Sequence, residues 1–311
     1  RQPAPHLRPD GAPGRAGPNG SPPQVTAGSP LAALSGMFGC SWSGLRSHPL
    51  AAGVAVVGAM VGLGVVANRR DRADARPRGR TGRPFDLADL TTLLIDVDGT
   101  LIDSNAAHAE TWAQALTEHG IPRGPAQIRP LIGMGRDKLL PLAAGLSPES
   151  AAAEAIVARK QALFAERQPT LQPTPGSRAL LAMLRRARKD LVVATSADEQ
   201  EMAALLEQAG VADLIPERTS TDDASRSKPD PEIIHAALRR AGSRPEATLM
   251  IGDTPYDIEA AHRAGVEAIA LRCGGYWTDA AFHGALAIFD HPAALLAYWR
   301  APQARVTSAR R

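Results

Sequence analysis

Two aspartates one residue apart, Asp96 and Asp98, close the apolar run Thr92–Ile95 and stand just before Gly99 and Thr100. Carboxylates at that spacing suit a nucleophile and a proton shuttle. The run is β-branched and Leu-rich, as in a strand buried on both faces, and Gly99 lets the chain turn sharply where the strand ends. In an open α/β sheet, ligands bind at that end of the strands.

Three further segments carry polar groups, two of them after apolar runs in the same way. Leu191–Ala194 leads into Thr195 and Ser196, Ser227-Lys228-Pro229 precedes an amphipathic stretch beginning at Glu232, and Thr248–Ile251 ends in Gly252-Asp253-Thr254-Pro255-Tyr256-Asp257. Read alone, each has an ordinary explanation. Thr195 and Ser196 are helix-cap types, Lys228 is a loop charge, and Asp253 is an N-cap ahead of Pro255. Read together, they gather carboxylates, a hydroxyl and an ammonium at one edge of a sheet. Converging carboxylates repel unless a cation sits among them, and hard oxygen ligands at that density fit Mg²⁺. Lys228 and the Thr195 hydroxyl then suit phosphoryl oxygens. Asp96, which continues the strand, is the expected nucleophile toward phosphorus. Asp98, two residues on, is the expected acid and base at the leaving oxygen.

In order and spacing these segments resemble the four motifs of the haloacid dehalogenase-like superfamily, over roughly residues 88 to 299. The resemblance implies Asp96 as nucleophile, Asp98 as acid/base, Thr195 as phosphate binder and Lys228 as the third-motif cation. It also implies Mg²⁺ held by Asp96, the Asp98 carbonyl and Asp253, with Asp257 supporting. Dehalogenases resemble Asp-x-Tyr in the first motif and phosphonate hydrolases carry Ala there, so Asp98 favours phosphoryl transfer from a C–O–P compound. The implied fold is α/β: a doubly wound, mostly parallel Rossmann-like core with an inserted α-helical cap. Strands are expected near 92–96, 191–195, 214–218, 248–252 and 268–271.

Between Asp103 and Asp190 the hydrophobic period becomes helical. Ser104 is placed to cap a helix through His119, and Ser147-Pro148-Glu149 to begin another running to about Glu166. Pro173, Pro175 and Gly176 return the chain to a core helix over 178–188. The expected division is core at 88–103 and 190–299 with a cap at 104–189. This insert resembles the cap of the phosphoglycolate phosphatase-like and β-phosphoglucomutase-like branch. Within it His108, Arg136 and Lys160 are candidate substrate contacts, with Ser196 from the core, although cationic residues on such helices are mostly solvated. Trp112 reads as cap packing more than as a platform for a sugar. Mutases of that branch resemble Glu-Asp where this chain has Gly252-Asp253, which favours hydrolysis over mutase chemistry.

Residues 1–84 carry eleven Arg, no Lys and only three Asp, a net +8, whereas residues 85–311 carry 24 basic and 29 acidic residues, a net −5. The basic balance therefore belongs to the N-terminal stretch, and no nucleic-acid partner is expected for the catalytic part. Residues 1–49 are Pro, Gly and Arg-rich and expected to be disordered, as are 300–311. Leu50–Ala67 has no charge over eighteen residues, about 27 Å as a helix and so at the short end of a membrane span. The arginines of the 68–87 linker would keep the catalytic part cytoplasmic. Two other readings fit this region: an apolar helix that never inserts, and translation upstream of a true start. Two cysteines form no disulfide framework and suit a reducing compartment. The expected activity is hydrolysis of a small phosphomonoester. The alternatives are a sugar-phosphate mutase and a membrane-tethered protein that binds phosphate and metal without turnover.

Overall fold

A computed structural model describes residues 86–220 and 223–301. The elements that position the site are β1 (Thr92–Ile95), β2 (Asp190–Ala194), β3 (Glu217–Thr219), β4 (Thr248–Gly252), β5 (Glu267–Leu271) and β6 (Ala287–Phe289). They form one sheet in the order β3-β2-β1-β4-β5-β6, and every pairing is parallel. β1 is central, and the segments after β1, β2 and β4 emerge side by side at one sheet edge. The strand expected at 214–218 lies instead at 217–219, and β6 is an additional strand. Its three residues are only half-buried, so no apolar run marks it.

Side chains alternate across the sheet as the strand period requires. Leu93 and Ile95 face a layer made of α4 (Ser177–Arg186), α5 (Glu199–Gln208) and α8 (Pro292–Arg300), through Leu180, Leu184, Leu205 and Leu295. Leu94, with Met250 of β4 beside it, faces α6 (Glu232–Ala241) and α7 (Pro255–Arg263), through Ile234 and Ile258. Each such buried aliphatic contributes about 1.5–3 kcal/mol of burial free energy. The two-sided core makes the strand tips a rigid platform.

Between β1 and α4 the chain forms a helical insert of α1 (Asn105–Glu118), a single turn at Pro125–Ile128, α2 (Arg136–Ala144) and α3 (Ala151–Arg167). Leu116, Ile128, Leu140, Ile156 and Leu163 give it a core of its own. Three expectations need correction. α3 starts at Ala151, because Ser150 caps it by accepting from the Ala153 amide at 3.2 Å. Ser104 makes no cap hydrogen bond at α1, because its hydroxyl turns to Asp98. The cap drawn to residue 189 ends too late, since α4 packs on the sheet. At the C-terminal side α8 continues through Arg300. The expectations for residues 1–49, 50–67 and 302–311, and nearly all of the 68–87 linker, lie outside the described residues. Among the described residues no helix is long and apolar enough to cross a membrane.

Candidate active site

Asp96 follows β1 directly, and its amide donates to Ile251 O at 3.0 Å, so the backbone stays in register with β4 as the side chain emerges. Gly99 has φ +73°, and a Cβ there would overlap Asn105 and Asp253. The tight turn sends the first two aspartates in different directions. Asp98 points toward the insert, where its Oδ1 accepts from Ser104 Oγ at 2.5 Å and pairs with His108 Nε2 at 2.7 Å. An ionised carboxylate only accepts, so Nε2 carries the proton in that pairing. The His108 ring stacks on Phe164 of α3, centroids 4.0 Å apart. Burial pushes the Asp98 carboxyl upward, but His108 and Ser104 outweigh it and hold it below the ordinary carboxylate value.

Asp96 joins a different cluster. One oxygen from each of Asp96, Asp253 and Asp257 lies within 4.8 Å of the others, and all three residues are buried. Lys228, 1% exposed, comes from the loop entering α6 and donates at 2.7 Å to both Asp96 Oδ1 and Asp257 Oδ1. Burial would lower the Lys228 ammonium, but Asp257 and Asp96 raise it well above its ordinary value. Asp253 accepts from Thr100 Oγ1 at 3.1 Å and Asn105 Nδ2 at 2.7 Å. Thr254, the N-cap of α7, donates its amide and hydroxyl to Asp257 Oδ2 at 3.0 and 2.7 Å. Asp253 is therefore not the cap of α7.

Three carboxylates against one ammonium leave two negative charges in a dry place. Burial, then Asp257 and Asp98, outweigh Lys228 and push Asp96 up to about 7. Burial and the two neighbouring aspartates likewise raise Asp253 well above its ordinary value. An oxygen-only donor set with that excess charge fits a hard divalent cation. The Asp98 carboxylate lies apart from this cluster, with His108 and Glu201. Close approach also explains two glycines: a Cβ on Gly274 would overlap the Asp253 carboxylate, and one on Gly252 would overlap that of Asp257.

Between the strand tips and the insert lies a cavity of about 590 Å³, lined by Asp96, Asp98, His108, Thr195 and Ser196 among others. Thr195 is buried and its Oγ1 accepts from the Ala197 amide at 3.1 Å. The capping role that its type suggested falls instead to Asp198, which accepts from Glu201 N at 2.8 Å. Ser196 Oγ is buried on the cavity wall without a hydrogen-bond partner among the described residues. The insert is held down on the core by Gly135 N to Ser227 Oγ at 2.8 Å, Lys138 Nζ to Ser227 O at 2.5 Å and Tyr256 OH to Pro130 O at 2.5 Å.

Two insert residues behave differently. Arg136 is an exposed wall residue, as the solvated reading expects. Lys160 is neither solvated nor free. It is 5% exposed, bonds Glu201 at 2.6 Å, and lies over Phe164 and Trp112 with its Nζ 4.6 and 5.9 Å from the ring centroids. Sequence reasoning missed Ser104's bond to Asp98, the Thr100, Asn105 and Thr254 contacts to the acidic cluster, and Glu201. Thr100 and Thr254 stand inside the motifs and were legible there. Glu201 carries no signal, because its partner Lys160 lies 41 residues away.

This geometry agrees with what the chain resembles. Residues 90–265 match the haloacid dehalogenase-like hydrolase family. A phosphoglycolate phosphatase of Rhodospirillum rubrum is 32% identical over 213 residues, covering 65% of this chain and 88% of the relative. An N-acetylmuramic acid 6-phosphate phosphatase of Pseudomonas aeruginosa is 30% identical, covering 67% of this chain and 93% of the relative. The crystal structure of a hydrolase from Pseudomonas syringae superposes with a TM-score of 0.63 at 28% identity, covering 67% of this chain and 97% of that one. The chain belongs to the haloacid dehalogenase-like hydrolases. Within that family it is a phosphoric monoester hydrolase.

Proposed function

We propose that this enzyme hydrolyses small organic phosphate monoesters with Mg²⁺ through an aspartyl-phosphate on Asp96. One observation carries the reading: Asp96 turns into the buried acidic cluster beside Lys228, while Asp98 turns across the cavity to His108. One carboxylate thus faces the transferred phosphoryl group and the other faces the leaving oxygen.

In the first step an Asp96 oxygen forms a bond to phosphorus and the ester P–O bond breaks, with a proton passing from Asp98 to the departing oxygen. In the second, water attacks phosphorus, its proton goes to Asp98, and the Asp96–phosphorus bond breaks. His108 and Ser104 hold Asp98 ionised, ready for the second step. A dianionic phosphoryl group brought against Asp98 shifts it toward the protonated form needed for the first. Lys228, Thr195 and Ser196 supply donors toward the phosphoryl oxygens. Asp96, the Asp98 carbonyl and Asp253, with Asp257 in support, would hold the metal, which would supply charge neutralisation at the transferred group. The insert covers the strand tips and limits water at the reacting groups.

The mutase alternative resembles sequences with Glu at position 252. Here Asp257 occupies the space that any side chain at 252 would need. A non-catalytic binding protein has no need of a separate acid/base pair on the leaving-group side.

The test is phosphate release from a panel of monoesters by the full chain with Mg²⁺ and with EDTA, together with acid-quenched trapping of label from a ³²P-ester. Expected are Mg²⁺-dependent release and a hydroxylamine-labile phosphoenzyme that Asp96→Asn lacks. Release by Asp96→Asn at the wild-type rate would overturn the mechanism.

A further inference from the structure

The cavity wall beyond the reacting groups carries its own selectivity. Apart from Asp96 and Asp98, its ionisable acids among the described residues are Asp137, Glu149, Glu154, Asp198 and Glu201, against Arg136 and Lys160 as permanent cations. Lys160 is taken by Glu201 at 2.6 Å. Asp137 is shared between Lys138 at 3.1 Å and the Ser227 amide. That leaves Arg136 as the lining cation without a hydrogen-bond or ion-pair partner among the described residues. It is exposed, as are Glu149 and Glu154, so water and salt weaken all three alike, and its field already reaches Glu149. Glu154 lines the same wall, and its carboxylate has no hydrogen-bond or ion-pair partner among the described residues.

Size points the same way. A cavity of about 590 Å³ is in the range that encloses a drug-sized ligand, roughly 300–1,000 Å³. A two-carbon acid would leave most of it to water. Carboxylates accept hydrogen bonds and attract ammonium groups, so this wall matches hydroxyls and amines and opposes a second anion.

We propose, resting on the phosphatase reading, that the preferred leaving group is a sugar-sized, hydroxyl-rich alcohol without a second negative charge, best when it bears an amine. The site therefore discriminates against 2-phosphoglycolate and against bisphosphates.

The experiment compares kcat/KM of the full chain, with Mg²⁺, for glucosamine 6-phosphate, glucose 6-phosphate, 2-phosphoglycolate and glucose 1,6-bisphosphate, with acetyl phosphate as an activity control. Both hexose monophosphates are expected to exceed 2-phosphoglycolate and the bisphosphate by at least about tenfold, the amine leading. A Glu149→Gln, Glu154→Gln double variant should narrow the margin between glucosamine 6-phosphate and 2-phosphoglycolate at least about threefold, as like-charge repulsion is removed. Preference for 2-phosphoglycolate or the bisphosphate, or a margin unmoved in the double variant, overturns the inference while leaving the phosphatase reading intact. Absence of release from every compound, acetyl phosphate included, overturns both.

Discussion

Stripping divalent metal from this protein should make its stability fall as pH rises across neutrality. Asp96 sits at 3.8 in an unfolded chain and at about 7 in the metal-free fold, because burial outweighs the neighbouring Lys228. Between those values the native state keeps a proton that the unfolded state has released. Stability therefore falls as pH climbs through that window. From about pH 5 to about pH 8 the Asp96 shift corresponds to a loss on the order of 2–3 kcal/mol. Asp253, raised by the same burial, acts in the same direction. Asp98 is lowered, so its contribution is present above its unfolded value of 3.8 and is constant over this range. For a fold of this size the loss amounts to a Tm decrease of roughly 5–10 °C. Differential scanning calorimetry in EDTA at the two pH values measures it directly. Saturating Mg²⁺ favours the ionised carboxylates and should abolish the decrease, with its largest stabilisation at the higher pH. Equal Tm values in EDTA at both pH values, or no Mg²⁺ effect at the higher one, would refute the reasoning that these carboxylates form an undercompensated cluster.

Lys228→Met removes the ammonium shared by Asp96 and Asp257 and should destabilise the metal-free protein by about 3–5 kcal/mol at neutral pH, less in acid; urea titrations at two pH values check this. Asp98→Asn should slow turnover by roughly 10²–10⁴-fold while leaving the phosphoenzyme detectable, which rapid-quench kinetics would show. Gly252→Glu should force Asp257 from its Thr254 donors, lowering both Tm and Mg²⁺ affinity, as calorimetry and metal titration would record. Glu201→Ala leaves the buried Lys160 without its carboxylate and should lower stability by about 3 kcal/mol or more, with Lys160→Met, Glu201→Ala recovering most of it.

The sequence by itself determined which polar groups meet at the candidate site. Asp96, Thr195 and Asp253 each follow a short apolar run, and strands buried on both faces in a parallel sheet leave few other places for such residues than the strand ends. Charge type then fixed the chemistry, since an ammonium among converging carboxylates suits a phosphoryl group and a hard metal. Helix periodicity separated the insert from the sheet, and Pro255 marked the first residue of α7.

Only the tertiary structure decided where the two first-motif aspartates part company, one into a dry cluster and the other to His108. It also decided that Lys160 is buried against Glu201 and two aromatic rings, where its position on a cap helix suggested solvent. These outcomes depend on how one packed layer sits on another. Periodicity records which face of an element is apolar, but an ion pair across 41 residues is set by the angle between layers, which no local pattern carries.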